Sequence, residues 1–175
     1  MEQIKLELPK FEYKSLMWED KDNVTYEGRS KAFEEQNKKY FLAGFNKENT
    51  KYKQAFSTLK EHTDFADTLF DRYTVAFMYQ LSGQTLPSHV DTFYMVSKKF
   101  GVDPNECCRV NVFLEDWESG HYFEINETPV LQWQRGDAII IEKDEPHLSG
   151  NFGMKPKYTM QITGVKNEFK RRKAS

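Results

Sequence analysis

The second half of the chain alternates between short apolar runs and turn residues. The runs are rich in β-branched and aromatic side chains, which is typical of strands and not of helices. They are TVAFMYQL, RVNVFL, HYFEI, PVLQW, DAIIIE and KYTMQITG. Gly, Pro, Asn and Asp residues between them mark the turns. The sequence therefore predicts seven or eight strands over residues 73–165, arranged as a sandwich or a barrel.

The first 72 residues show a different spacing of apolar positions. A helical period predicts an amphipathic helix over residues 30–43, with Ser30 as its N-cap and Gly44 as its stop. A second helix is predicted over 50–59, and residues 65–70 extend it or form a short third helix. We therefore expect the N-terminal part to be mainly helical.

The composition fits a single folded domain. Of the 175 residues, 38% are hydrophobic, 15% aromatic and 30% charged, which is too apolar for a disordered chain. Within this domain, residues 1–72 are expected to support the β core of 73–165, and residues 166–175 are expected to form a basic, solvated tail. The formal net charge of -2 does not mark a nucleic-acid or membrane binder.

Targeting and cysteine signals are few. The N-terminal residues contain scattered charges and no unbroken apolar run, and no later stretch has the length of a membrane-spanning helix. A cytoplasmic protein is expected. The two cysteines, Cys107 and Cys108, are adjacent, which argues against a disulfide framework or a zinc-finger spacing and favours a reducing compartment.

Three residues are candidate metal ligands. His89 and Asp91 lie two positions apart, so in a strand they point to the same face. Pro146 interrupts the strand pattern before His147, which favours a sheet edge or a bulge that displays this imidazole. Two histidines and one carboxylate leave several coordination positions open, as in non-haem Fe(II) oxygenases and unlike a closed structural zinc site.

Two strands are predicted to carry polar faces next to these residues. Alternation places Lys157 and Thr159 on the same face as Gln161 and Thr163, opposite the apolar side chains of that strand. A wholly polar face inside a barrel is costly unless it binds something. A lysine beside a hydroxyl suits the far carboxylate of a diacid. In RVNVFL, the polar pair Arg109 and Asn111 is expected to face the same cavity.

The combination His89-X-Asp91, His147 and Lys157-X-Thr159 resembles the motif of the Fe(II)/2-oxoglutarate-dependent oxygenases. In that family a basic residue follows the distal histidine by about ten positions, and a hydroxyl often lies two further on. The stretch from about 75 to 165 is similar to small oxygenases of phages and marine bacteria, distantly related to the aspartyl/asparaginyl hydroxylases.

The resemblance implies a double-stranded β-helix, a cupin-like jelly roll, with helices packed on its outer sheet. It also implies that His89, Asp91 and His147 bind Fe(II), and that Lys157 and Thr159 hold the distal carboxylate of 2-oxoglutarate. Arg109 and Asn111 would contact the cosubstrate from a neighbouring strand, as would the Tyr79 hydroxyl. Many relatives have arginine where this chain has Lys157. Related halogenases have a small residue in place of Asp91, so hydroxylation is expected, with 2-oxoglutarate and O2 converted to succinate and CO2.

Other candidate residues have plainer interpretations. We expect His121 to be an ordinary strand-edge histidine, His62 to be a solvated helical residue, and Asp137 to cap a turn. Trp117 and Trp133 are expected in the core. Arg109 has the alternative of a structural ion pair with Glu115 or Asp116.

Two other functions remain open on the sequence alone. One is a cupin-like metal enzyme that does not use 2-oxoglutarate, suggested by the His-X3-Asn ending of the segment 136–151. The other is a non-catalytic jelly-roll binding module. The sequence identifies neither the substrate, which is a small molecule or a peptide, nor the oligomeric state.

Overall fold

The structure is a computed structural model that describes residues 2–22, 24 and 31–170. The strands are β1 (Glu2–Lys5), β2 (Glu19–Lys21), β3 (Tyr52–Phe56), β4 (Tyr73–Gln80), β5 (Gln84–His89), β6 (Cys107–Phe113), β7 (His121–Ile125), β8 (Thr128–Val130), β9 (Asp137–Glu142), β10 (His147–Asn151) and β11 (Lys157–Val165). The α-helices are α1 (Lys31–Leu42), α2 (Lys60–Asp67) and α3 (Tyr94–Phe100). Short 3-10 helices cover Pro104–Glu106 and Lys166–Glu168.

The strand order establishes the fold. The larger sheet, here called the major sheet, has the order β1-β9-β6-β11-β4-β3-β2, and the minor sheet has the order β5-β10-β7-β8. Every pairing is antiparallel. Of the strands from β4 to β11, β4, β6, β9 and β11 lie in the major sheet and β5, β7, β8 and β10 lie in the minor sheet, so the chain crosses repeatedly between two four-stranded layers, as in an eight-stranded jelly roll. The predicted double-stranded β-helix is confirmed, and β1, β2 and β3 extend its major sheet.

The outer face of the major sheet is covered by α2 and by the N-terminal segment. Residues Phe65, Leu69 and Phe70 pack with the fully buried Val110 and Ile162 in one apolar cluster. The partly buried aromatic side chains that join it are Phe11, Tyr13, Trp18, Tyr73, Tyr158 and Phe169. The prediction of a helix on the outer sheet therefore holds for α2.

The inner face contributes a second apolar cluster between the sheets. Trp133 stacks on Phe113 with ring centroids 4.0 Å apart, and Ile139 and Ile141 of β9 pack beside them. Trp133 is thus a core residue, as predicted. Trp117 is partly buried against this cluster and its indole N–H donates to the His121 carbonyl at 2.8 Å.

The helix predicted over 50–59 is wrong, because this stretch contains β3, and the N-terminal part is not mainly helical, since β1 and β2 also lie there. Tyr52, Gln54 and Phe56 face one side and β3 pairs with β4, with Phe56 opposite Ala76. The spacing of a short apolar run is compatible with a helix and with a strand about equally. Here the run forms a strand because it pairs with the edge of β4. The helix predicted over 30–43 is confirmed as α1, although Ser30 lies outside the described residues.

Two further expectations are corrected. His62 is fully buried, not solvated, because its Nδ1 is 2.6 Å from Ser57 Oγ and its Nε2 is 3.1 Å from the Glu12 carbonyl. The beginning of the C-terminal tail is packed: Glu168 pairs with Arg72, and the amide of Lys170 donates to Leu69. Residues 171–175 lie outside the described residues.

Two smaller predictions are confirmed or refined. Asp137 caps a turn, since its Oδ2 accepts from the amide of Gln134 at 2.7 Å. His121 is a buried histidine of β7 whose Nε2 lies 2.9 Å from the Lys155 carbonyl. Among the described residues, no helix combines the length and the apolar character that crossing a membrane requires.

Candidate metal centre

His89, Asp91 and His147 come together at one end of the barrel. His89 ends β5 and His147 begins β10, and the two are directly opposite in the antiparallel register, with ring centroids 4.3 Å apart. The register shifts between His147 and Ser149, in line with the bulge predicted after Pro146. Asp91 lies just beyond the end of β5. One ligand atom from each of the three residues lies within 4.8 Å of the other two.

Backbone carbonyls orient both imidazoles. Nδ1 of His89 is 2.8 Å from the Pro87 carbonyl, and Nδ1 of His147 is 2.9 Å from the Glu145 carbonyl. A carbonyl only accepts, so each Nδ1 carries the proton and each Nε2 is left with a free lone pair. Nε2 of His147 lies 3.8 Å from Asp91 Oδ2. Ligating histidines usually donate their other ring N–H to a carbonyl or carboxylate, as the two Nδ1 atoms do here.

The charge states also suit a cation. Burial lowers the pKa of His89, and burial together with the neighbouring His89 lowers the pKa of His147 to about 4. Burial alone would raise the pKa of Asp91, but the positive Arg109, followed by His147 and His89, holds that pKa below its usual value. Neutral imidazoles and an ionised carboxylate are the forms that bind metal ions.

Arg109 pairs with the candidate ligand Asp91, and not with Glu115 or Asp116 as the alternative prediction had it. One terminal nitrogen lies 2.8 Å from Asp91 Oδ2, and Nε donates to Thr163 Oγ1 at 3.2 Å. The guanidinium lies 5.9 Å from the ring centroid of Phe93.

Phe93 has a φ of 49°, a left-handed conformation that costs a non-glycine residue roughly 1–2 kcal/mol. Strain of this kind concentrates at functional sites.

A small enclosed space, here called the inner cavity, lies between the triad and β11. Thr159 Oγ1 and Asn111 Nδ2 are buried there, and among the described residues neither has a hydrogen-bond partner. Gln161 and Ser149 also line the space, whose volume is about 20 Å³. Buried polar atoms are nearly always hydrogen-bonded, so two unpartnered ones beside a ligand triad indicate a place for a polar ligand.

Lys157 lies behind this cavity and does not line it. The side chain is buried, and Nζ donates to the Tyr122 carbonyl at 2.6 Å, to Gln80 Oε1 at 3.3 Å and to Ser149 Oγ. Burial lowers the pKa of Lys157 to about 7. Ser149 Oγ in turn donates to Gln80 Oε1 at 2.7 Å, so the three side chains form one buried network.

Tyr79 is not in the site. It lies on the outer face of the major sheet, where its ring packs 4.7 Å from Trp18 and 5.0 Å from Tyr158. The prediction that its hydroxyl reaches the cosubstrate is wrong, because the alternation along β4 that brings Met78 to the inner face turns Tyr79 outward.

A larger opening, here called the outer cleft, begins at His89, Asp91 and Arg109 and reaches the surface. Its volume is about 240 Å³, and it is bounded by α1, β3, the start of α3 and the inner faces of β4 and β11. Tyr40 of α1 fixes one wall, because its hydroxyl donates to the Ser88 carbonyl at 2.7 Å, one residue before His89. The triad therefore lies between two spaces.

Comparison with known proteins assigns no family or activity to the chain. No family model and no curated protein matches the chain. Solved structures similar to it include a predicted oxalate decarboxylase from Thermotoga maritima, with 15% identity, 66% of this chain and 81% of that chain covered, and a TM-score of 0.45. The Cnp3 cupin domain of Schizosaccharomyces pombe has 10% identity, 66% coverage of each chain and a TM-score of 0.44. KdgF from Halomonas sp. has 6% identity, 65% and 78% coverage and a TM-score of 0.43.

The sequence signals missed Gln80 and Ser149. Both hold Lys157, but a glutamine at the end of a strand and a serine two residues after a histidine have no pattern of their own. The outer cleft was missed for a different reason: β3 supplies part of its wall, and that stretch was predicted to be a helix.

Proposed function

We propose that the protein is an Fe(II)- and 2-oxoglutarate-dependent oxygenase of the hydroxylating type. One observation carries the proposal: His89 and His147 of the triad border a cavity in which Thr159 Oγ1 and Asn111 Nδ2 are buried with no hydrogen-bond partner among the described residues. The triad accounts for the metal, and the two orphaned polar atoms account for a polar molecule held next to it.

The donor set fits Fe(II). Two imidazoles and one carboxylate occupy one side of a metal ion and leave the other positions for small molecules, which is the facial arrangement of non-haem iron oxygenases. Iron in such a site supplies the O2 chemistry, and the protein supplies binding and orientation. His89, Asp91 and His147 would hold the ion, and Arg109 would hold the carboxylate of Asp91 in position.

The surroundings also fit a diacid. Thr159 and Asn111 each offer a hydrogen-bond donor to an anionic oxygen, and Lys157 offers the positive charge behind them. A carboxylate that reached Lys157 would take the place now held by Ser149 Oγ and Gln80 Oε1. It would also keep the ammonium protonated, since a charged partner compensates for burial.

A second candidate is a cupin-like metal enzyme that does not use 2-oxoglutarate. The observation in its favour is that Lys157 Nζ already contacts four acceptors, the fourth being the Gly150 carbonyl at 3.5 Å, and that Lys157 does not line the inner cavity and is separated from it by Ser149. A volume of about 20 Å³ holds one water molecule, so a five-carbon diacid requires neighbouring side chains to move apart.

Thermal unfolding with Mn(II) and the inert analogue N-oxalylglycine tests the first proposal. At a hundredfold excess over the dissociation constant, a ligand that binds only the folded protein stabilises it by about 2.7 kcal/mol. His147→Ala should abolish this gain. His121→Ala is the matched control, because His121 is also a buried histidine of the minor sheet but lies outside the triad, and it should retain the gain.

Lys157→Ala separates the two candidates. If the protein uses 2-oxoglutarate, this variant should keep its stabilisation by Mn(II) and lose the additional stabilisation by N-oxalylglycine. Stabilisation by Mn(II) with no response to N-oxalylglycine in the unsubstituted protein would favour the cupin-like enzyme. No response to either compound would contradict both.

A further inference from the structure

The outer cleft has a chemical character that restricts what it binds. The ionisable groups that the described residues bring to it are the triad members His89 and Asp91, tyrosine hydroxyls, and Arg109, which is paired with Asp91. None of its described lining residues is a free charged side chain. Charged groups entering this space would leave water without gaining a partner, which is unfavourable.

Uncharged hydrogen-bonding groups form the floor of the cleft. Gln54 of β3 and Gln161 of β11 both line the outer cleft. Among the described residues, neither side-chain amide has a hydrogen-bond partner. The two strands flank β4, and Gln54 and Gln161 are opposite Met78 and Ala76 of that strand, so their Cα atoms are about 12 Å apart. A side-chain amide donates and accepts at once, which matches the N–H and C=O of a peptide unit.

The rim of the cleft is apolar and exposed. Phe56 is 69% exposed, Tyr94 60% and Met95 67%, and all three line the opening. A small molecule held inside the cleft would leave these side chains in water. An extended chain that continues past the cleft on both sides would cover them, and about four residues of it would span the two glutamines.

On these grounds we propose that the outer cleft binds a polypeptide segment and receives one of its uncharged side chains, with Gln54 and Gln161 holding the backbone. A reaction on the bound side chain rests on the proposed function, whereas binding of the polypeptide by the outer cleft does not depend on that function. A free amino acid would bring an ammonium and a carboxylate that have no partners here. A nucleic acid would bring phosphates, and the described lining offers no unpaired lysine or arginine to meet them.

Calorimetry with blocked pentapeptides tests this proposal. The probes are acetylated and amidated peptides with a central leucine, aspartate or lysine flanked by alanines, free leucine, and a five-nucleotide single-stranded DNA. We expect the leucine peptide to bind at least about tenfold more tightly than every other probe. Each peptide is measured without metal and again with Mn(II) and N-oxalylglycine. A failure of peptide binding is then distinguished from a failure of the proposed metal and diacid sites.

Variants locate the binding. Gln54→Leu and Gln161→Leu should each weaken the leucine peptide about tenfold, as expected for losing a hydrogen bond to a buried backbone group. Phe56→Asp should weaken it similarly. Phe152→Asp is the matched control, since Phe152 is 66% exposed and lies outside the cleft, and it should leave the affinity unchanged. The proposal is overturned if no peptide binds, if a charged central residue, free leucine or the DNA binds as tightly, or if the Phe152 and Phe56 variants behave alike.

Discussion

The two faces of the major sheet differ in how completely their side chains are satisfied. On the outer face, Val110 and Ile162 are fully buried among apolar neighbours. On the inner face of the same two strands, Asn111 and Thr159 have buried polar atoms with no partner in the described part of the chain, and Arg109 pairs with the candidate ligand Asp91. Unpaired buried polar groups lower the free energy of unfolding. The outer face therefore stabilises the fold, whereas the inner face carries unpaired polar groups that lower stability and are available to bind a ligand.

Adjacent residues of β11 should show the largest contrast. Ile162→Ala leaves a cavity in the outer cluster and should lower the free energy of unfolding by about 2–5 kcal/mol. Gln161→Ala removes a side chain that borders open space and should change it by less than about 0.5 kcal/mol. Urea denaturation of both variants measures the difference. Equal changes in the free energy of unfolding would show that the outer face does not contribute more to stability than the inner face.

The buried Lys157 should make stability depend on pH. Burial lowers its pKa in the folded protein to about 7, from 10.5. Between these values the unfolded chain binds a proton that the folded chain does not, so stability rises with pH. From pH 7 to pH 9 the rise should be about 2 kcal/mol, because each unit contributes at most about 1.4 kcal/mol and the folded-state lysine is only half titrated at pH 7. Below pH 7 both states are protonated and this contribution no longer changes.

Lys157→Met provides the control for this pH dependence. The variant removes the titrating group while it keeps an unbranched side chain, so the rise between pH 7 and pH 9 should disappear. The comparison stops at pH 9 because burial raises the pKa of the Cys108 thiol to about 12, which lowers stability at higher pH. A rise of the same size in both proteins would show that another group causes it.

The smaller contrast concerns a single hydroxyl. Thr159→Val replaces the unpartnered Oγ1 with a methyl group of nearly the same size, so it should raise the free energy of unfolding by about 1 kcal/mol. The same change should weaken stabilisation by N-oxalylglycine if Thr159 holds the diacid. Thr163→Val is the control, because its hydroxyl already accepts from Arg109 and its loss should destabilise the protein. A destabilised Thr159→Val protein would show that its hydroxyl has a partner in solution.

The alternation of side chains made much of the fold and of the candidate site predictable. A strand period of two separates Lys157 and Thr159 from Tyr158 and Met160, and the structure places them on opposite faces of β11. The ligands His89 and His147 could be proposed because few residue types bind metals, although the residues are far apart in the sequence. Their direct opposition across β5 and β10 depends on the strand register, which the sequence does not reveal.

The missed features depend on contacts between distant segments. His62 is buried because the N-terminal segment crosses over α2 and places the Glu12 carbonyl at its Nε2. Arg109 pairs with Asp91 because the residues after β5 of the minor sheet meet β6 of the major sheet. Local periodicity contains no information about either contact.

Tyr79→Phe should have the smallest effect. Among the described residues its hydroxyl has no hydrogen-bond partner, and its ring keeps its contacts with Trp18 and Tyr158 when the oxygen is removed. The free energy of unfolding should therefore change by less than about 0.5 kcal/mol, as for substitutions that lose no buried interaction. Stabilisation by N-oxalylglycine should also be unchanged, whereas Thr159→Val weakens it. A loss of analogue binding in Tyr79→Phe would mean that the outer face takes part in the site, and the division of the sheet into a stabilising and a binding face would then be wrong.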